Sequence, residues 1–279
     1  MKRIIHLKYL HSIEQIEPHH VLQTNCRPLV VHTNELNDYL VKYLKGNVSA
    51  NMLARELIAA EFCKLWDIKF PEYVLITIKD EHLSSELGIG TTKIQMPGFG
   101  TLYDNRLKEL DRFFEEMNSY QSNKISNPDD FLTIAFFDIW MSNEDRNMGN
   151  YNMMIKSAED GYEFWAIDHG AVFHTGNQDK PNFPISLQDS LLNSPFLFKL
   201  FTKKQLFDNQ VHEEFRKTWY ICATRCKEKY REIINTFPDQ WNINKQELTN
   251  QLESFMMNYG WFDNCWQTYL EFLERIKNR

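Results

Sequence analysis

The sequence contains no apolar run of bilayer length, no dense Lys/Arg block, no internal repeat, no low-complexity tract and no C-x-x-C pair. Each absence removes a class. Without a long apolar run there is no candidate membrane helix. The amino-terminal MKRIIHLKYLHSIEQ begins basic, but His6, Lys8 and His11 break its apolar stretch, so it does not read as a secretory leader. A net charge of −7 with no basic stripe argues against nucleic acid as the primary ligand. The five cysteines, Cys26, Cys63, Cys222, Cys226 and Cys265, are odd in number and unpatterned, which points to reduced thiols rather than a disulfide scaffold. The expectation is a cytoplasmic protein.

What is present is apolar and aromatic. Apolar residues make up 43% of the 279 positions and aromatics 14%, enough for a sizeable core in one large domain or two lobes. Residues 28–44, PLVVHTNELNDYLVKYL, read as two β-rich runs around the turn-forming NELND. Ser49 is placed to cap a helix reaching about Trp66, and after Pro71 the run EYVLITI returns as a strand. Beyond about residue 104 the pattern turns helical. Asn127-Pro128 reads as a cap and first-turn proline for DDFLTIAFFDIWM, which is apolar nearly all round and therefore buried on most sides. Segments 205–237 and 248–277 each read as helical, with aromatics at core spacing.

The densest cluster of short polar side chains runs from Asp138 to Gly170. Within it YNMMIK and YEFWAI are equal-length β-like runs, and Gly161 in the SAEDG loop between them suits a positive φ. An antiparallel hairpin sets the start of its first strand beside the end of its second. Asn150 and Asp168, eighteen residues apart, are therefore expected at one open end, with Asp145 just before them. An amide and a carboxylate converging there suit a hard cation such as Mg²⁺, which takes oxygen ligands. Phosphoryl transfer uses this set: metal ligands for nucleotide phosphates and a separate carboxylate for the acceptor hydroxyl. Asp145 and Asn150 carry the five-residue spacing of a kinase catalytic Asp and metal Asn, and Asp168 stands where the later metal Asp falls. Asp138, on an apolar helix, reads as a brace for the loop, with Arg146 as a partner. His169 is assigned no chemistry.

With Asp138-Ile-Trp140, Asn143-Glu-Asp145-Arg146, Asn150-Tyr-Asn152 and Ala166-Ile-Asp168-His169-Gly170 assembled, the chain resembles the HipA-like kinases, in their compact, kinase-core form. Phosphoinositide kinases look similar, more distantly, across Asp-Arg…Asn and Asp-x-Gly. Asn143 is compatible with some aminoglycoside- and choline-type kinases, but Arg146 leans toward the HipA-like group.

The resemblance implies a two-lobed α+β protein-kinase-like fold, a small β-rich N-lobe over about 1–103 and a larger, mostly helical C-lobe over about 104–279. It implies ATP and Mg²⁺ as cofactors, Asp145 as catalytic base and Asn150 and Asp168 as metal ligands. Lys42 becomes the lysine on the α/β-phosphates and Glu56 its helix partner, with Glu61 competing. MPGFGT, at 96–101, resembles a Phe-Gly segment near the link between lobes, which places Phe99 and Gly100 by the cofactor; FPDQW, at 237–241, resembles a Pro…Trp element of the C-terminal helices. The acceptor is expected to be a protein Ser or Thr. A small-molecule or lipid kinase, and a nucleotide-binding pseudokinase serving as an interaction module, are the rival readings. A toxin role with an antitoxin-like partner is compatible with the family. So is self-phosphorylation in 171–194, where Thr175, Ser186, Ser190 and Ser194 lie. One departure stands out: Gln23-Thr-Asn-Cys-Arg27 occupies the place of a glycine-rich phosphate loop before Lys42.

Overall fold

The computed structural model describes residues 5–90, 94–116, 124–173, 185–254 and 256–278. They form two compact units, one of residues 1–61, 71–104 and 230–245, the other of 62–70, 105–229 and 246–279.

The first unit is built on a five-stranded sheet. Its strands are β1 (Tyr9–His11), β2 (Leu29–His32), β3 (Asp38–Lys42), β4 (Tyr73–Thr77) and β5 (Gly98–Leu102), in the order β1-β4-β5-β3-β2. Only β1 and β4 run parallel. The β2–β3 hairpin turns where NELND predicts, with Leu36 in the left-handed region at φ 61°. In β3, Tyr39 and Val41 enter an apolar cluster with Leu10, Leu29, Val31, Val74 and Ile76. Leu40 and Lys42, alternating with them, face the other way. The short GFG run carries no strand pattern of its own. The structure makes it β5, in the middle of the sheet, where its neighbours leave no room for side chains at the two glycines: a Cβ on Gly98 would lie 2.7 Å from the Lys42 carbonyl, and one on Gly100 2.6 Å from Ile76 Cδ1. Helix α1 (Ala50–Leu65) begins where Ser49 Oγ accepts from the Met52 amide at 3.2 Å. Trp241, from FPDQW, belongs to this same unit and donates its indole N–H to the Pro97 carbonyl at 2.7 Å, fixing the entry to β5.

The second unit centres on α3 (Asp129–Met141), whose residues from Phe131 to Met141 are buried except Thr133. Asn127 does not cap it as expected; its amide nitrogen donates to Asp130 Oδ1 at 2.6 Å. Strands β6 (Leu107–Glu109), β7 (Met153–Ala158) and β8 (Gly161–Ala166) form an antiparallel sheet, with α2 (Leu110–Glu116) following β6. Two short helices, α4 (Leu197–Leu200) and α5 (Lys203–Leu206), precede the long α6 (Asn209–Asn235). The predicted 205–237 helix is thus broken at Phe207-Asp208, where Asp208 Oδ1 accepts from the Gln210 amide at 2.9 Å and starts a new helix. The predicted 248–277 helix is likewise two, α7 (Lys245–Ser254) and α8 (Tyr259–Lys277), the second capped by Asn258. Phe136 of α3 stacks on Trp219 of α6 at 4.5 Å and meets Trp266 and Tyr269 of α8 edge-on. The Trp261 indole donates to the Trp140 carbonyl at 2.9 Å, supplying a partner to one of the last carbonyls of α3.

Candidate active site

In the second unit α3 stops at Ser142, which turns left-handed at φ 50°. The chain that follows is tied back onto the helix by one carboxylate. Asp138 Oδ1 accepts from Asn143 Nδ2 at 2.8 Å and from an Arg146 terminal nitrogen at 2.5 Å. The second Arg146 terminal nitrogen reaches the Ile167 carbonyl at 2.6 Å, and Nε reaches the Asn152 carbonyl at 3.3 Å. One buried guanidinium therefore joins the end of α3, the start of β7 and the end of β8. Burial pushes the Asp138 carboxyl above its ordinary pKa, against the Arg146 charge and the Asn143 hydrogen bond, which pull it down.

Arg146 also lies 3.0 Å from His169 Nε2. A guanidinium only donates, so this ring nitrogen accepts and His169 is neutral, with its proton on Nδ1. His169 packs against Phe70 and Phe137 inside the unit. It is a structural member of the loop.

The hairpin has the geometry expected of it. Met153 pairs with Ala166 and Ala158 with Gly161, and the Ile167 amide donates to the Asn152 carbonyl at 3.0 Å. Gly161, at φ +135°, packs so closely that a Cβ would fall 1.9 Å from the Lys124 carbonyl. Asn152 and Asp168 both take left-handed backbone, at φ 45° and 52°, a conformation that Asn and Asp tolerate best among non-glycines.

Around this frame the predicted residues sit as follows. Asp145 is exposed, and its carboxylate accepts from Asn152 Nδ2 at 2.9 Å. Asn150 donates to the Asp145 carbonyl at 3.1 Å. With its nitrogen so used, Asn150 has an oxygen to offer, and Asp168, half-buried after β8, has a carboxylate. Two hard oxygen donors fit Mg²⁺, which commonly takes one or two protein ligands and fills its shell with phosphate and water. Among the described residues no group of three or more His, Cys, Asp or Glu forms a denser metal cluster. The left-handed turn that aims Asn152 at Asp145 is a tertiary feature that its place in the Asn-Tyr-Asn motif does not reveal.

In the first unit Lys42 forms an ion pair with Glu56 on α1, whose side chain is 2% exposed. The competing Glu61 takes the Tyr73 hydroxyl instead. Phe99 lies opposite Lys42 in the β3–β5 register, its ring buried and stacked on Tyr73 at 5.4 Å, and Gly100 lies opposite Val41. The Gln23–Arg27 stretch closes a tight loop: the Leu22 amide meets the Pro28 carbonyl, and Arg27 is left-handed at φ 38°.

Of the four hydroxyls in 171–194, Thr175 lies outside the described residues. Ser190 and Ser194 are buried, the first accepting from the Leu192 amide and the second paired with the Tyr151 hydroxyl at 2.5 Å. Ser186 is exposed and donates to Asp189. Among the described residues no helix is long and apolar enough to cross a membrane.

No curated protein matches the sequence. Among solved structures, the Helicobacter pylori proinflammatory kinase CtkA is similar over 94% of this chain and 98% of its own, with a TM-score of 0.52 and 15% identity. HipA of Shewanella oneidensis MR-1, solved with HipB and operator DNA as a toxin–antitoxin system, covers 86% of this chain and 60% of its own at a TM-score of 0.45 and 11% identity. The first likeness supports a mixed α/β, kinase-like fold, with a curled sheet in the N-terminal region and helices in the C-terminal part. A family model described as HipA-like kinase matches residues 13–259, and the chain belongs to that family of kinase-type phosphotransferases.

Proposed function

We propose that the protein transfers the γ-phosphoryl group of ATP, with Mg²⁺, to a hydroxyl of a protein Ser or Thr. The observation that carries this reading is the hold on Asp145: an exposed carboxylate oriented by Asn152, with Asn150 bonded to its carbonyl. Asp145 orients the acceptor hydroxyl and takes its proton. The hydroxyl oxygen then bonds to the γ-phosphorus, the bond from that phosphorus to the bridging oxygen breaks, and ADP leaves. Bound Mg²⁺ supplies positive charge to the phosphate oxygens. Asn150 and Asp168 are its protein ligands in this proposal.

Lys42 is assigned to the α/β-phosphates. Glu56 supports that role by fixing the lysine side chain, and Phe99 and Gly100 by holding the strand beside it. Since the chemistry is mostly positioning and charge neutralisation, loss of Asp145 or Asp168 should cost far more rate than nucleotide affinity. Ser186 is the accessible hydroxyl for self-modification among the described members of 171–194.

The test is transfer from γ-labelled ATP by the wild type and by Asp145→Ala, with mass spectrometry of the protein afterwards. Labelling by the wild type that falls at least a hundredfold in the variant supports the assignment. Equal labelling refutes it. Magnesium-dependent stabilisation by ATP with no phosphate consumed would replace it with a nucleotide-binding pseudokinase.

A further inference from the structure

The first unit carries a cavity of about 590 Å³ to which the proposed phosphoryl transfer assigns no residue, although the 23–27 loop, standing in the place of a phosphate loop, forms part of its wall. Its walls include the polar Arg27, Lys45, Asn25 and Asn47, the ring of Tyr43, apolar side chains among them Val21, Leu44, Leu87 and Ile89, and the backbone of Gly46, Gly88 and Gly90. Tyr43 follows Lys42 directly, and the two side chains diverge: Lys42 meets Glu56 on α1, whereas Tyr43 is buried in the cluster of Val21, Leu29, Val31 and Val41. The cavity therefore lies on the sheet face opposite the Lys42–Glu56 pair.

Its chemistry is one-sided. Two cations line it, and none of its described lining residues is Asp or Glu. Lys45 is partly withdrawn from water, donates to the Arg27 carbonyl at 3.0 Å and lies 5.0 Å over the Tyr43 ring. Burial depresses its pKa, and so does the Arg27 charge, against Cys26, which raises it. Asn47 donates to the Asn25 carbonyl at 2.5 Å, so side chains from the segment after β3 hold the 23–27 loop in place. That loop keeps Arg27 in left-handed backbone, an unfavourable state for a side chain that could adopt easier ones. Two like charges lining one cavity lower their mutual repulsion when an anion joins them.

We propose that this cavity is a second ligand site, taking a small phosphorylated molecule with an apolar remainder. Arg27 and Lys45 receive the phosphate, and Tyr43, Val21, Leu87 and Ile89 cover the rest. The volume is that of a small-molecule pocket. The site stands independently of the proposed phosphoryl transfer.

Phenyl phosphate is the probe, titrated into the full chain and followed by the amide resonances of Gly46, Gly88 and Gly90. Saturable shifts at these glycines are expected. Affinity should fall at least tenfold in Arg27→Gln/Lys45→Gln and stay unchanged in Glu56→Gln, which should weaken ATP binding. Arg27→Gln alone keeps the carbonyl that Lys45 bonds, so it tests the charge should the double variant not fold, and it should weaken binding severalfold. Shifts absent at millimolar probe, equal affinity in the charge variants, or loss of binding with Glu56→Gln would each overturn the proposal.

Discussion

Arg146 donates to Asp138 at 2.5 Å with neither side chain exposed to solvent. Buried ion pairs add little net stability, yet breaking one strands a charge and costs about 3–5 kcal/mol. Here the guanidinium also holds the Asn152 and Ile167 carbonyls, so the pair sets the geometry of both ends of the hairpin.

Arg146→Ala should therefore lower stability by about 3–5 kcal/mol in denaturant melts. Arg146→Lys should recover only part of this, because an ammonium cannot fork to the same acceptors. An unchanged midpoint in Arg146→Ala would contradict the role.

Asn152 offers a cleaner probe of Asp145. Asn152→Gly keeps the left-handed backbone and removes the amide. A hydrogen bond to a charged group is worth about 1.5–3 kcal/mol, so the turnover rate should fall roughly 10- to 100-fold. The KM for ATP and the melting temperature should move little. A rate equal to wild type would show that Asp145 needs no such support.

Lys42 and Glu56 should behave asymmetrically. Lys42→Met leaves the Glu56 carboxylate, 2% exposed, without the charge it faces, so stability and ATP affinity should both drop. Glu56→Gln stays uncharged and should lose less stability while still weakening ATP binding. Equal melting temperatures for the two variants would argue against a buried pair.

Asp130 gives a pH signature. Burial raises its carboxyl pKa from 3.8 to about 6, against Lys69 and Asn127, which lower it. The folded state thus holds a proton that the unfolded state releases earlier. Its contribution is fully present below about pH 4 and is lost as pH rises through 6. Asp130→Asn, neutral throughout, should gain on the wild type between pH 4.5 and pH 7.5 in thermal melts. A constant difference across that range would refute the raised pKa.

Local patterns were legible where chemistry acts over a few residues. The NELND hairpin, the Ser49 cap, the buried α3 and the β7–β8 pair all follow from turn residues, caps and apolar period. The Asp138–Arg146 brace followed from the rule that a buried carboxylate needs a partner. Strands β1 and β5 escaped, being short and paired with segments far along the chain. The breaks at Asp208 and Asn258 escaped because an apolar period continues across a cap. The bond from Trp241 of FPDQW to the Pro97 carbonyl was not legible either, because it joins residues far apart along the chain.

The sequence by itself determined which residues could do chemistry and that Asn150 and Asp168 flank one hairpin, because strand pairing converts equal runs into neighbouring ends. Tertiary structure alone decided that Glu56 rather than Glu61 meets Lys42, that Asn152 aims at Asp145, and that Arg27 and Lys45 line one cavity. Those choices depend on side-chain direction and packing between distant segments, which no spacing along the chain encodes.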